Sequence, residues 1–197
     1  MKQITSSMPT QKIAKIIVKN ILRKTPSATS WIFSFLLDMG ALTIDAFLSP
    51  SYYADLPSAS SAFSNIPRKR PEIKPVTIRQ SILRLRKQGF VEKRGDQYKL
   101  TEKGKQLGKY ILERKTLINK KWDAKYRIVI FDIPEEKKEQ RSWLRQELYL
   151  LEYRLLQESV FIGKHPLPKS LIKSIKQRRI GNCINYILAE KVYKNII

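Results

Sequence analysis

One carboxylate in this sequence stands where a metal ion could use it. Asp132 falls within the apolar run 128–133, whose β-branched and aromatic residues predict a buried strand. Pro134 suits the first position of a helix, and Glu135 and Glu136 suit its first turn. The chain is therefore expected to pass from strand to helix at an acidic tip. An aspartate at such a junction either binds a divalent cation through oxygen or accepts hydrogen bonds from backbone N–H groups.

A second set of residues has the types and spacing that contact with DNA bases requires. The sequence predicts a helix over 77–88, capped by Thr77. The expected apolar side of this helix consists of Ile78, Ile82 and Leu85. At 100° per residue, Thr77, Gln80 and Arg84 fall on the opposite side. Because Gln pairs with adenine and Arg with guanine, we predict that these three residues contact base edges. The alternative is a solvated helix that is merely basic.

Cations surround this predicted base-contacting side. Gly89 can end the helix in the left-handed conformation, and two short strands, 90–93 and 97–100, are expected to follow it as a hairpin. Helix and hairpin together supply four cations that we predict to bind DNA phosphates, namely Arg79, Lys87, Lys93 and Arg94. Thr101 then caps a further helix. Helix, hairpin and helix is the order of a winged helix-turn-helix.

The composition limits the classes of protein that fit. The 197 residues suit one or two domains, and a hydrophobic content of 42% indicates a chain that folds. The net charge is +22, and residues 76–121 hold 14 basic and 4 acidic residues. Such a charge favours a nucleic acid or an acidic membrane surface as the partner. Cys183 and His165 are the only residues of their types, which excludes a disulfide framework and a Cys/His zinc site and suits the cytoplasm.

A membrane-associated alternative depends on two segments. Residues 31–48 have about the length of a membrane span, but Asp38 and Asp45 are costly in hydrocarbon. Residues 11–25 predict a basic amphipathic helix, which either lies on a membrane or begins a globular domain. The chain does not open on the pattern of a signal peptide. We expect no membrane partner.

The stretch around Asp132 is the start of a second predicted domain. A helix follows it, then strands over 153–157 and 159–163, a second helix, and a last strand over 183–189. The first of these helices is expected to carry Trp143, Leu144, Leu148 and Leu151 inward, and Leu171, Ile172 and Ile175 mark the second helix. The order β-α-β-β-α-β is that of a ferredoxin-like unit.

Short words in both parts resemble known families. Gln88-Gly89-Phe90-Val91 and Tyr98-Lys99-Leu100-Thr101-Glu102-Lys103-Gly104 resemble winged helix-turn-helix proteins. Phe131-Asp132-Ile133, Arg141 and Leu156-Gln157-Glu158-Ser159-Val160-Phe161 are similar to the small CRISPR-associated nuclease of spacer acquisition, a ferredoxin-like homodimer. With the lead-in Lys121-Trp122-Asp123, residues 76–193 resemble the PaaX family of phenylacetate repressors. The nuclease resemblance implies that Asp132 and its symmetry mate bind Mg²⁺.

These observations predict an α+β protein with an N-terminal winged helix-turn-helix domain and a C-terminal ferredoxin-like domain. The expected parts are a helical segment over 1–48, a Ser/Pro-rich loop over 49–75, the winged helix over 76–115, a linker over 116–122 and the ferredoxin-like domain over 123–197. We expect a cytoplasmic transcriptional repressor, without a cofactor, that binds a palindromic double-stranded DNA operator as a homodimer. Its small-molecule effector, if any, is undefined by the sequence. The alternative is a Mg²⁺-dependent endonuclease, or a CRISPR adaptation scaffold, with Asp132 as the catalytic and metal-binding residue.

Overall fold

The computed structural model of the chain describes residues 17–20, 27–43 and 73–193. Helices and sheets are both present, which confirms the α+β class. The described residues form two compact units that divide between Leu112 and Glu113. Most of the predicted amphipathic helix over 11–25 and nearly all of the Ser/Pro-rich segment over 49–75 lie outside the described residues.

The first unit combines helices with a three-stranded sheet. Its elements are α1 (Ala28–Met39), β1 (Ala41–Thr43), α2 (Pro75–Lys87), β2 (Val91–Arg94), β3 (Gln97–Leu100) and the beginning of α3 (Glu102–Ile118). The strand order is β1-β3-β2, and both pairings are antiparallel. The sequence did not predict β1, which consists of three residues and pairs with β3 more than 50 residues later in the chain.

α1 accounts for much of the apolar segment that could have crossed a membrane. Ser27 caps it, because the Ser27 Oγ accepts a hydrogen bond from the Ser30 N–H at 3.2 Å. Gly40 ends it with a φ of 77° and donates its N–H to the Leu36 carbonyl. The helix has 12 residues and buries most of them in the first unit. No helix within the described residues is long and apolar enough to cross a bilayer.

The second unit alternates strands and helices. Its elements are β4 (Tyr126–Phe131), a 3-10 turn (Glu135–Lys137), α4 (Lys138–Leu150), β5 (Arg154–Gln157), β6 (Val160–Gly163), α5 (Lys169–Gln177), a second 3-10 turn (Gly181–Cys183) and β7 (Ile184–Ala189). All strand pairings are antiparallel, in the order β5-β6-β4-β7.

The core of the second unit lies on one side of this sheet. Along β4, Val129 and Phe131 are buried, while Ile128 and Ile130 are only partly covered. Phe131 stacks on Phe161 at a centroid distance of 5.9 Å. The predicted inward residues of α4 are confirmed as buried, namely Trp143, Leu144, Leu148 and also Leu151 just beyond the helix. The buried side chains that alternate along the strands thus pack in one apolar layer with those at helical spacing along α4.

Several predicted details of the second unit are wrong. Pro134 precedes a 3-10 turn, and the α-helix begins only at Lys138. In α5, Leu171, Ser174 and Ile175 occupy the buried side, and Ile172 is 43% exposed. Cys183 belongs to the 3-10 turn before β7. Residues 116–118 of the predicted linker are the last turn of α3.

Candidate nucleic-acid interface

α2 begins two residues earlier than the sequence predicted. Pro75 is its first residue and Lys74 its N-cap, so the prediction that Thr77 caps the helix is wrong. Proline is favourable at the first helical position because the N–H group that it lacks would have no partner there. Thr77 lies in the first turn, and its N–H donates to the Lys74 carbonyl at 2.9 Å.

The buried side of α2 is the side that helical spacing predicted. Ile78, Ile82 and Leu85 are at most 2% exposed, and Ser81 is buried with them. Thr29 Oγ1 of α1 donates to Ser81 Oγ at 3.2 Å. These contacts set the rotation of α2 about its own axis and leave the opposite side in solvent.

The three residues predicted to contact bases lie together on that outer side. Thr77, Gln80 and Arg84 are all exposed. They follow one another at spacings of three and four residues, which bring Cβ atoms on a helix within about 5–6 Å. α2 contains no Asp or Glu. This row therefore offers a hydroxyl, an amide and a guanidinium to a polar, anionic partner without a repelling carboxylate on the same helix.

A Schellman motif ends α2 and sets the direction of the chain into β2. Gly89 has a φ of 72° and donates its N–H to the Arg86 carbonyl at 2.8 Å. Phe90 donates to the Leu85 carbonyl at 3.0 Å, which completes the motif. This confirms the predicted role of Gly89. The Phe90 ring is buried and packs edge-on against Phe33 of α1.

A surface groove separates the outer side of α2 from β2. Its volume is about 560 Å³, and its lining residues are Leu83, Arg86, Lys87, Val91, Glu92 and Lys93. The structure thus brings together two of the predicted phosphate ligands, Lys87 from the helix and Lys93 from the hairpin. Arg86 joins them, although it was not predicted as a contact. Its position beside Lys87 in the last turn was the available sequence signal.

The other two predicted phosphate ligands lie outside this groove. Arg79 is exposed near the beginning of α2. Arg94 is exposed at the end of β2, where its Nε lies 2.7 Å from Glu92 Oε1. Exposed ion pairs of this kind contribute about 1 kcal/mol or less. Arg94 can therefore exchange Glu92 for a phosphate at little cost.

The hairpin is held against the start of α3 by short polar contacts. Thr101 Oγ1 accepts the Gly104 N–H at 3.1 Å, which confirms the predicted cap, and donates to the Gly89 carbonyl at 2.6 Å. Lys103 Nζ donates to the Gln88 carbonyl at 2.8 Å and lies 5.0 Å from the centre of the Phe90 ring. Lys103 is therefore engaged in positioning the end of α2.

Asp132 lies in the second unit, just after β4. It is exposed, and its backbone N–H donates to the Cys183 carbonyl at 2.9 Å. Glu135 pairs with Arg141, whose second nitrogen donates to the Ile133 carbonyl. Within the described residues, no three Asp, Glu, His or Cys side chains form a group that could hold a metal ion. Because Mg²⁺ is commonly bound through one or two carboxylates and several waters, the metal-binding alternative at Asp132 stays a prediction.

Asp123, just before β4, forms an ion pair with Arg127. Its carboxylate accepts two hydrogen bonds from the Arg127 guanidinium, one of them at 2.6 Å from Nη1. Chiefly through this hydrogen bonding, Arg127 holds the pKa of the Asp123 carboxyl well below its usual range. Arg127 Nη1 also donates to the Lys164 carbonyl at 2.7 Å. The pair therefore fixes the entry into β4 and has no evident chemical role.

The geometry describes an α+β protein with an exposed cationic helix in one unit and a four-stranded antiparallel sheet in the other. Residues 119–196 match the family model described as the PaaX protein central Cas2-like domain. These residues therefore form a Cas2-like domain of the PaaX type, which confirms the resemblance noted in the sequence for this part of the chain. No curated protein matches the chain.

Proposed function

We propose that this protein is a DNA-binding transcriptional repressor. The observation that carries the proposal is the outer side of α2, where Thr77, Gln80 and Arg84 stand exposed without a carboxylate on the helix. A helix of this kind fits the major groove, which is wide enough to admit it. Arg84 would pair with guanine and Gln80 with adenine, and Thr77 would contact a neighbouring base.

The neighbouring cations support the same proposal. Lys87 and Lys93 line a common groove, and Arg79 and Arg94 are exposed outside it. Phosphate contacts fix the position of a protein on the duplex, whereas base contacts select the sequence. We interpret the first unit as a winged helix-turn-helix in which α2 is the recognition helix and β2 and β3 form the wing.

We propose that the Cas2-like domain joins two copies of the chain as a ferredoxin-like dimer. The side of its sheet opposite the core carries Ile128, Ile130 and Ile187, and the last of these is 42% exposed. A second copy would cover this apolar side. A two-fold dimer presents two recognition helices, so its operator would be an inverted repeat.

Selection of bound sequences from random double-stranded DNA tests this function. The full chain should enrich an inverted repeat, and sedimentation should show a dimer that Ile187→Asp separates into monomers. A set of bound sequences without any common motif would contradict the repressor. Cleavage of DNA or RNA that requires Mg²⁺ and is lost in Asp132→Asn would instead favour the endonuclease.

A further inference from the structure

α5 in the Cas2-like domain carries a row of lysines on one side. Lys169, Lys173 and Lys176 are all exposed. At 100° per residue they lie within about 60° of one another around the helix. The opposite side contains Leu171, Ser174 and Ile175, which are buried in the core of the unit. The lysines are therefore fixed on the outside of the domain by the packing of α5.

These lysines have no compensating carboxylates around them in the sequence. Residues 159–189 contain six basic residues and no Asp or Glu. Within the part of the chain that the structure describes, none of the three lysine side chains forms an ion pair. At the beginning of α5, the Glu113 carboxylate accepts hydrogen bonds from the Ser170 N–H and hydroxyl.

Such a row does not stabilise the helix that carries it. Lys169 and Lys173 are four residues apart and Lys173 and Lys176 three apart, and like charges at these spacings repel. α4 in the same domain differs, because its Arg141 pairs with Glu135. An anionic partner would remove the repulsion along α5.

The spacing of the row suits a nucleic-acid backbone. From Lys169 to Lys176 the helix rises by about 10.5 Å, at 1.5 Å per residue. One strand of B-DNA advances about 3.4 Å per phosphate, so this length corresponds to about three phosphates. Arg179 is exposed just beyond the helix, and Lys137 donates to its carbonyl oxygen, so two further cations adjoin the row.

A lipid surface suits this helix less well than DNA. Helices that lie on membranes bury an apolar side in the lipid. The apolar side of α5 is already buried within the domain. Ile172 is the exposed apolar residue of the helix, and a single side chain supplies little area for insertion.

The geometry points to α5 as a second DNA-contacting surface, on which Lys169, Lys173 and Lys176 bind phosphates independently of sequence. This inference rests on the proposed DNA-binding function. It adds that the Cas2-like domain itself contributes to affinity and not only to dimerisation. The chain would then make more phosphate contacts than α2 and the hairpin supply by themselves.

Salt-dependent DNA binding by the full chain tests the inference. The triple variant Lys169→Gln/Lys173→Gln/Lys176→Gln should lower the slope of log K against log salt by about 2.7, at about 0.9 per lost phosphate contact, on a random 40-base-pair duplex. The sequences that it selects from random DNA should be those of the parent. Replacing the same lysines by Arg should preserve the slope, and circular dichroism should show that each variant is folded.

A charge-matched control separates a local contact from a change in net charge. Lys120→Gln/Lys121→Gln/Lys191→Gln removes three exposed lysines elsewhere and should leave the slope nearly unchanged. Equal slopes in the parent and the α5 variant would overturn the inference while leaving the repressor intact. A parent that does not bind DNA would overturn both. An α5 variant that keeps the DNA slope but no longer binds phosphatidylserine vesicles would assign the surface to membranes.

Discussion

Arg114 Nη2 lies 2.6 Å from Glu147 Oε2, and both side chains are completely buried in the second unit. Removing one partner of a buried ion pair is strongly destabilising and costs about 3–5 kcal/mol. Glu147→Ala should therefore lower the free energy of unfolding of this unit by that amount in urea titrations. The double variant Arg114→Met/Glu147→Leu should recover most of the loss, because two apolar residues leave no charge unpaired.

Glu139→Ala is the matched control for this prediction. It removes an exposed carboxylate from the same helix and should change stability by no more than about 0.5 kcal/mol. If Glu147→Ala and Glu139→Ala lower the free energy of unfolding equally, the buried pair does not stabilise the domain.

Arg84→Ala tests the proposed recognition helix. Loss of a paired contact with guanine should weaken operator binding by about 1–3 kcal/mol and relax the preference at one base pair. Binding and selection from random DNA measure the two effects. Arg154→Ala removes an exposed arginine of the second unit as the control. An unchanged operator footprint for Arg84→Ala would place the base contacts on another surface.

Lys93→Ala tests the groove between α2 and β2. If Lys93 binds one phosphate, its loss should lower the salt slope of binding by about one without changing the selected sequence. Lys121→Ala removes an equal charge from an exposed position and should have a much smaller effect. A changed sequence preference in Lys93→Ala would mean that the wing contacts bases.

Gly104→Ala tests how closely α3 approaches the hairpin. A Cβ at residue 104 would lie 2.2 Å from the Phe90 carbonyl oxygen, so backbone would have to move. We expect a loss of about 1–3 kcal/mol in thermal unfolding of the first unit. Gly181→Ala meets no atom within 4 Å and should be close to neutral. Equal stability of Gly104→Ala and the parent would contradict this close packing.

The Asp123–Arg127 pair should make stability depend on pH in acid. Because the folded pKa of Asp123 lies below the unfolded value of about 3.9, its contribution is complete above that pH and is lost as the pH falls further. The melting temperature of Asp123→Asn should therefore lie below that of the parent at pH 7, and this gap in melting temperature should narrow below about pH 4. Glu158→Gln, an exposed control, should show almost no gap at either pH. A gap that is constant with pH would exclude the ion pair as its cause.

Local patterns in the sequence predicted much of both the fold and the candidate site. The spacing of Ile78, Ile82 and Leu85 correctly identified the buried side of α2, and thereby its exposed side. Gly89 and Thr101 were correctly placed as the end of one helix and the cap of the next. These features depend on neighbours within a few residues, and helical geometry alone determines them.

Where two local signals competed, the prediction failed. Thr77 is a good cap by residue type, but Pro75 is equally suited to the first helical position and lies two residues earlier. At α5, Leu171, Ile172 and Ile175 marked the helix, but the sequence could not show that Ser174 is buried while Ile172 is exposed.

By itself the sequence determined the basic character of the chain, the buried and exposed sides of α2, and the resemblance to a Cas2-like domain. Tertiary structure decided the pairing of Thr43 with Gln97, the buried contact of Arg114 with Glu147, and the meeting of Lys87 and Lys93 at one groove. The physical reason is sequence separation. Periodicity relates residues one or two turns apart, whereas these contacts form only when whole elements bury their apolar sides against one another.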